Sequence, residues 1–220
     1  MSDMSDKRRP LWIAPSRYPE IRYWTVDHWK ALTFTTEEDW KTAIEIFEDR
    51  INYRYLEAIR ILQESDHEHY HKLTQRRFGF SMMALDCLLI ETLAQFYKGL
   101  PESPTRKSRS FYISFLWQDS FVLKSVFDTE VKAQLFYETI RCGILHQAET
   151  KDSSTIWFWN NEQPKLPFEI TPDGIGLRIY WRNFHLLVIN EYLSYSECLK
   201  TDRLPGYRDN FIRKMNFICR

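Results

Sequence analysis

The sequence has few glycines, no closely spaced cysteines and no excess of charge of either sign. Six glycines in 220 residues are about 3%, against a usual share of about 7%, which excludes a collagen-like chain and Gly-rich linkers. Hydrophobic residues make up 44% of the chain and charged residues 27%, as in globular domains. The 30 Lys and Arg balance the 30 Asp and Glu, so the chain is not a uniformly basic nucleic-acid binder.

The cysteines and the apolar segments bear on the compartment. Cys87, Cys142, Cys198 and Cys219 lie far apart with no C-x-x-C pair, so we predict small buried thiols in a reducing cytosol. The apolar stretches are broken well before ~18 residues, and no apolar region follows the first ten residues. We therefore expect a cytoplasmic protein without a signal peptide or a membrane span.

Apolar residues recur every three or four positions over most of the chain, which is typical of amphipathic helices. The pattern predicts helices over residues 36–64, 75–98, 111–122, 129–146, 182–199 and 206–219. The first begins at a capping box formed by Thr35 and Glu38, and the fourth begins at Asp128 or Thr129. The second is apolar on all sides, so we expect it to be central and buried.

Two segments depart from the helical pattern. Residues 1–35 are interrupted by prolines but rich in aromatics, and we predict an arm that packs on the body. Residues 153–181 contain short β-rich runs separated by turn residues, which predicts a β-hairpin or a three-stranded insert. The expected fold class is mainly α, a helical bundle over residues 36–220 with this small insert at about 153–181.

The helix 129–146 ends in a motif that carries candidate chemistry. Arg141 and His146 enclose Cys-Gly-Ile-Leu, and the aromatic pair Phe136 and Tyr137 precedes them. The spacing alone is weak, because Arg–His pairs at looser spacings occur elsewhere in the chain. Together with residues 47–56 (FEDRINYRYL), 84–93 (ALDCLLIETL) and 141–151 (RCGILHQAETK), the motif resembles a bacterial branch of the HEPN superfamily.

The resemblance implies a metal-independent endoribonuclease that cleaves single-stranded or loop RNA, in a toxin, antiphage or stress setting. It also implies a homodimer in which both Arg–His motifs face one cleft, with no cofactor and no metal. His146 would transfer a proton near neutral pH, and the planar Arg141 would hold phosphate oxygens. An antitoxin or another regulatory protein is a further expected partner, and a membrane is not.

Three acidic residues are candidates for supporting this pair. We interpret Glu138, one turn before Arg141, as the residue that orients the guanidinium. Asp86 or Glu91, on the apolar helix, would add a polar contact, because a charged group there needs a partner. The two catalytic side chains leave a regular helix about 140° apart, so they converge only if the helix ends or bends between Gly143 and His146.

Alternatives remain open at several positions. Cys142 and Ala148 depart from residues common in active family members, so the domain is alternatively a non-catalytic RNA-binding or assembly module. In a purely structural interpretation, Arg141 pairs with Glu138 and His146 caps a helix. The histidines of residues 66–71 suggest zinc only weakly, since the segment sits at a helix exit. Trp157, Trp159, Tyr180 and Trp181 either stack on bases or pack across strands.

Charge is polarised along the chain although its total is zero. Residues 37–70 hold ten acidic and four basic residues, whereas residues 200–220 hold two acidic and six basic ones. We therefore expect RNA to contact the basic loop and the last helix, and not the acidic first helix. The candidate RNA-binding residues are Arg106, Lys107, Arg109, Arg213 and Lys214.

Overall fold

Helices make up most of the described residues, which also form two small sheets. The computed structural model describes residues 11–69, 78–157 and 166–220, and the backbone alone for residues 66–69. The helices are α1 Val26–Lys30, α2 Glu37–Ile51, α3 Glu57–His69, α4 Gly79–Lys98, α5 Ser108–Ser114, α6 Glu130–Leu135, α7 Cys142–Gln147, α8 Trp181–Thr201 and α9 Tyr207–Ile218. The mainly α fold class is therefore confirmed.

Three of the predicted helices are not regular. π-Helical turns at Asn52–Leu56, Phe115–Asp119 and Phe136–Arg141 follow α2, α5 and α6 without a break in the helical path. None of these segments contains Pro or Gly, so the sequence carries no local signal for them. The first helix is capped by Thr36, whose hydroxyl accepts from Asp39 N at 3.1 Å, so the predicted cap at Thr35 is wrong by one residue.

The sheets occupy the arm and the insert. β1 (Trp12–Pro15) pairs with β2 (Tyr23–Thr25) in an antiparallel hairpin, which the sequence analysis did not predict. In the insert, β5 (Leu177–Tyr180) lies between β3 (Thr155–Trp157) and β4 (Phe168–Ile170). β3 is parallel to β5 and β4 is antiparallel to it, so the three-stranded alternative is correct.

The N-terminal hairpin and α1 are attached by buried tryptophans. Trp24 donates from its indole nitrogen to Asp49 Oδ2 at 2.8 Å, and Trp29 donates to Asn216 Oδ1 at 2.8 Å. Arg17 adds an ion pair with Asp49 at 2.7 Å. Each buried indole N–H thus has an acceptor, as burial of a polar group requires.

Helix α4 runs through the centre of the core and packs against α3, α5, α7, α8 and α9. Its Phe96 meets Phe47, Tyr195 and Phe211 in a cluster of fully buried aromatic rings. By length and composition alone, α4 is long and apolar enough to cross a membrane. However, 56% of its most apolar 18-residue stretch is buried inside the protein. Core helices of soluble proteins pass the same test, so localisation stays a prediction.

Candidate active site

Arg141 lies at the end of the third π-helical turn, and its side chain reaches α4. A terminal guanidinium nitrogen donates to Glu91 Oε2 at 2.8 Å, and the two side chains are 14% and 17% exposed. The guanidinium carbon lies 5.8 Å from the ring centroid of Tyr112 and 5.3 Å from that of Tyr137. The carboxylate and the two aromatic rings therefore fix the guanidinium in place.

The electrostatic balance keeps Arg141 charged. Burial lowers the pKa of Arg141, but the hydrogen bond and the charge of Glu91 outweigh it and hold the pKa above its ordinary value. The Nε–H group is enclosed and has no hydrogen-bond acceptor among the described residues. This enclosed donor of the guanidinium thus remains unsatisfied.

Glu91 also belongs to a chain of polar side chains along α4. Ser103 Oγ donates to Glu91 Oε1 at 2.6 Å, and Gln95 Nε2 donates to Ser103 Oγ at 2.9 Å. Lys214 Nζ then donates to Gln95 Oε1 and to the carbonyl of Pro101, both at 2.6 Å. The network ties Arg141 to the loop after α4 and to α9.

His146 is exposed, one residue before the end of α7 at Gln147. Its imidazole has no hydrogen-bond or ion-pair partner in the described part of the chain. Because α7 stays α-helical from Cys142 to Gln147, the helix does not end between Gly143 and His146, and the two side chains do not converge. Arg141 points into the core and His146 toward solvent, as a separation of about 140° requires.

Gly143 has a packing role that the motif alone does not reveal. After α7 the chain reverses at Ala148, whose φ is 54°, and Lys151 N donates to Thr139 O at 2.9 Å. A Cβ atom on Gly143 would collide with the carbonyl oxygen of Glu149. The glycine is therefore required for the returning segment to pass against the helix.

Glu138 does not orient Arg141, and that interpretation is wrong. Its carboxylate accepts from Arg109, with a side-chain exposure of 53% for Glu138 and 51% for Arg109. The π-helical turn explains the difference, since residues three apart are aligned on an α-helix and not in a π-helical turn. Of the three supporting candidates, Glu91 contacts Arg141.

Asp86 is fully buried and serves a different histidine. Its two carboxylate oxygens accept from Trp181 Nε1 at 2.9 Å and from His185 Nδ1 at 2.7 Å. Burial raises the pKa of Asp86, although these two partners oppose the shift. His185 lies 99 residues from Asp86 in the chain, and no sequence motif marks it. The one signal in the sequence is an Asp on an apolar helix, which needs a partner.

The candidate RNA-binding residues divide into exposed and buried ones. Arg106, Lys107, Arg109 and Arg213 are exposed. Lys214 is 5% exposed and points into the polar network, so its prediction as an RNA contact is wrong. Burial and the charge of Arg50 lower the pKa of Lys214 to about 8.

The aromatic residues of the insert and the histidines of residues 66–71 are the alternative sites, and the structure describes part of them. Trp181 is 3% exposed and Tyr180 is 8% exposed, whereas Trp157 is 48% exposed under the guanidinium of Arg178. Base stacking on Trp181 is therefore excluded by burial. Trp159 and the histidine side chains of residues 66–71 lie outside the described residues. No cluster of three or more metal-ligating side chains occurs in the part that is described.

The fold and the site define a mainly helical protein whose central helix holds an arginine and a histidine through two separate carboxylates. No protein-family model matches the chain, and no curated protein or solved structure matches it. The resemblance to the HEPN superfamily therefore stays a prediction.

Proposed function

We propose that the protein is a metal-independent endoribonuclease of the HEPN type, acting on single-stranded or loop RNA as a homodimer. The proposal rests on one observation: a fixed cation and an exposed imidazole lie on the same helical segment. Arg141 is a fixed cation held by Glu91, and His146, five residues further on, is exposed and has no side-chain partner among the described residues.

The proposed reaction needs these two chemical roles. The ribose 2′-OH attacks the adjacent phosphate and the P–O5′ bond breaks, which leaves a 2′,3′-cyclic phosphate and a 5′-OH. A base removes the 2′-OH proton, an acid protonates the leaving 5′-oxygen, and a cation stabilises the negative charge that develops on the phosphate. An imidazole exchanges protons near neutral pH. Arg141 stays charged, and its unsatisfied Nε–H provides a donor for an oxygen atom once the site rearranges.

The divergence of the two side chains supports the dimer. One chain cannot bring Arg141 and His146 onto the same phosphate while α7 stays regular, because they leave the helix about 140° apart. A second copy would supply the missing partner across the interface. Exposed Arg106, Lys107, Arg109 and Arg213 would attract the RNA backbone without making the protein basic overall.

The test is cleavage of total RNA in EDTA by the wild type, Arg141→Ala and His146→Ala. Arg22→Ala and His28→Ala are matched controls, since both side chains are exposed and neither belongs to the proposed site. We expect cleavage by the wild type and both controls, and loss of cleavage in the two site variants. Cleavage that survives both site substitutions would remove the assignment, and sedimentation of the wild type measures the dimer directly.

A second candidate function is a non-catalytic RNA-binding or assembly subunit. The low exposure of both Arg141 and Glu91 favours it, because an arginine used only to join helices would look the same. It predicts RNA binding without cleavage, and equal binding by wild type and His146→Ala. The same RNA preparations in a gel-shift assay separate the two functions.

A further inference from the structure

A pocket of about 430 Å³ opens between α8 and the segment that joins α2 to α3. The polar side chains that line it, next to Trp181, are Asn52, Glu57, Arg60, Gln63, Arg182 and His185. Apolar side chains such as Leu56 and Ile189 complete it. This volume and this mixture of apolar and a few polar groups are typical of sites for small molecules.

His185 is held rigidly at the wall of this pocket. Asp86, which is fully buried, accepts from Nδ1 at 2.7 Å, and the ring stacks on Trp181 with centroids 5.2 Å apart and planes 11° from parallel. The other ring nitrogen, Nε2, is not enclosed by protein. It has no hydrogen-bond partner among the described residues. Nε2 is therefore the ring nitrogen that remains for a molecule in the pocket, and Asp86 fixes the orientation of the ring.

The charges around the pocket leave one guanidinium available. Arg60 is neutralised by Glu57 at 2.6 Å and also pairs with Glu64. Arg182 is exposed and has no ion pair with any side chain that the structure describes. A planar guanidinium next to a fixed imidazole ring suits the oxygen atoms of a phosphate group.

The opposite wall contains the first π-helical turn, Asn52–Leu56. This turn interrupts a helix that is otherwise continuous in its sequence pattern, and Asn52 and Leu56 both line the pocket. π-Helical turns inside α-helices occur frequently at functional sites. The irregular backbone thus coincides with the cavity and with the oriented histidine.

We propose that this pocket binds a phosphorylated molecule of nucleotide size, with Arg182 and His185 Nε2 on the phosphate. The amides of Asn52 and Gln63 would contact the polar edge of the base, and the apolar wall would cover its face. The site is separate from the Arg141 and His146 assignment and does not depend on the proposed endoribonuclease.

A structural role for His185 is the competing explanation, because a buried carboxylate needs hydrogen-bond donors in any case. His185→Asn separates the two. The asparagine amide can still donate to Asp86 in place of Nδ1, but nothing replaces Nε2. Arg182→Gln is a second variant, which removes the guanidinium from an exposed position with little risk to folding.

The experiment is calorimetric titration of the full chain with uridine 5′-monophosphate, adenosine 5′-monophosphate and inorganic phosphate, with uridine as the phosphate-free probe. We expect saturable binding of at least one nucleotide, and a loss of affinity of about tenfold or more in His185→Asn and in Arg182→Gln. His146→Ala and Arg22→Ala should bind like the wild type.

Two outcomes would overturn the proposal. One is the absence of binding of every phosphorylated probe to the wild type. The other is unchanged affinity in Arg182→Gln together with unchanged affinity in a folded His185→Asn. If His185→Asn does not fold, as judged by its unfolding transition, Arg182→Gln decides alone. Since RNA cleavage is not measured here, failure of the endoribonuclease proposal leaves the result interpretable.

Discussion

Helix α4 presents two carboxylates, Asp86 and Glu91, and the protein uses them in opposite ways. Asp86 is fully buried and holds a histidine, His185, whose second nitrogen faces a pocket. Glu91 is 17% exposed and holds an arginine, while the nearby histidine, His146, is left exposed on another face. Carboxylates on one helix can therefore have different roles. Asp86 orients an imidazole at a pocket, whereas Glu91 anchors a guanidinium and leaves the imidazole of His146 exposed.

The largest difference should appear when each carboxylate is removed. Asp86→Ala leaves Trp181 Nε1 and His185 Nδ1 without their acceptor, and two buried donors left unsatisfied cost together about 2–6 kcal/mol. We expect that decrease in the free energy of unfolding in urea. Asp86→Asn, which keeps one acceptor oxygen, should cost less. If Asp86→Ala lost less free energy of unfolding than Glu91→Ala, the proposed difference between the two carboxylates would be wrong.

Glu91→Ala should destabilise the protein by about 1–3 kcal/mol, less than Asp86→Ala. Water can reach both partners of this ion pair, so part of the lost interaction is replaced by hydration. Glu91→Gln is the control that keeps a polar acceptor for Ser103 and Arg141. The measurement is again urea unfolding, and an effect as large as that of Asp86→Ala would show that exposure does not distinguish the two sites.

Gly143→Ala tests the backbone at the Arg141 and His146 end of the comparison. The new methyl group meets the carbonyl of Glu149, and overpacking of this kind costs about 1–3 kcal/mol. Gly174→Ala is the reference for backbone strain without a collision, because a φ of 76° strains alanine although nothing lies near the missing Cβ. An unchanged thermal transition in Gly143→Ala would contradict the close approach.

Contacts between residues close in the sequence can be predicted from it, whereas contacts between distant segments cannot. Helical periodicity placed the helices, and the local motif drew attention to Arg141 and His146. The predicted contact of Arg141 with Glu138 is wrong, because α-helical spacing does not hold in a π-helical turn, and no residue in the sequence marks this turn. The predicted contact from α4 is correct for Glu91. The pairing of Asp86 with His185 joins segments 99 residues apart, and nothing local specifies it.

Lys214 shows a second physical limit of sequence reasoning. Arg213 and Lys214 are adjacent basic residues, and consecutive residues on a helix point about 100° apart. When one face of α9 packs on α4, the two cannot both face solvent. The sequence pattern therefore indicates a basic helix, but it does not indicate which basic residue is buried in the core.

The buried Lys214 predicts a pH dependence that links the Arg141 network to α9. Its pKa is lowered from 10.5 to about 8 in the folded state, so between these values the unfolded chain binds the proton and the folded chain does not. Stability should therefore rise with pH from about 8, by on the order of 1 kcal/mol up to pH ~9.5. Lys214→Met should lack this rise when its urea unfolding is compared with the wild type at each pH, and parallel curves would contradict the burial.

The smallest effect should come from Arg109 and Glu138, whose ion pair is more exposed than that of Arg141 and Glu91. A double-mutant cycle with Arg109→Ala and Glu138→Ala measures their coupling, and exposed pairs contribute about 0.2–1 kcal/mol. Added salt should reduce even this value, because solvent separates and screens the charges. A cycle on Arg141→Ala and Glu91→Ala serves as the reference and should give the larger coupling energy. If the exposed pair proved equally strong, Glu138 would hold Arg109 away from RNA. A weak coupling leaves Arg109 free to exchange Glu138 for a phosphate group, which its predicted role as an RNA contact requires.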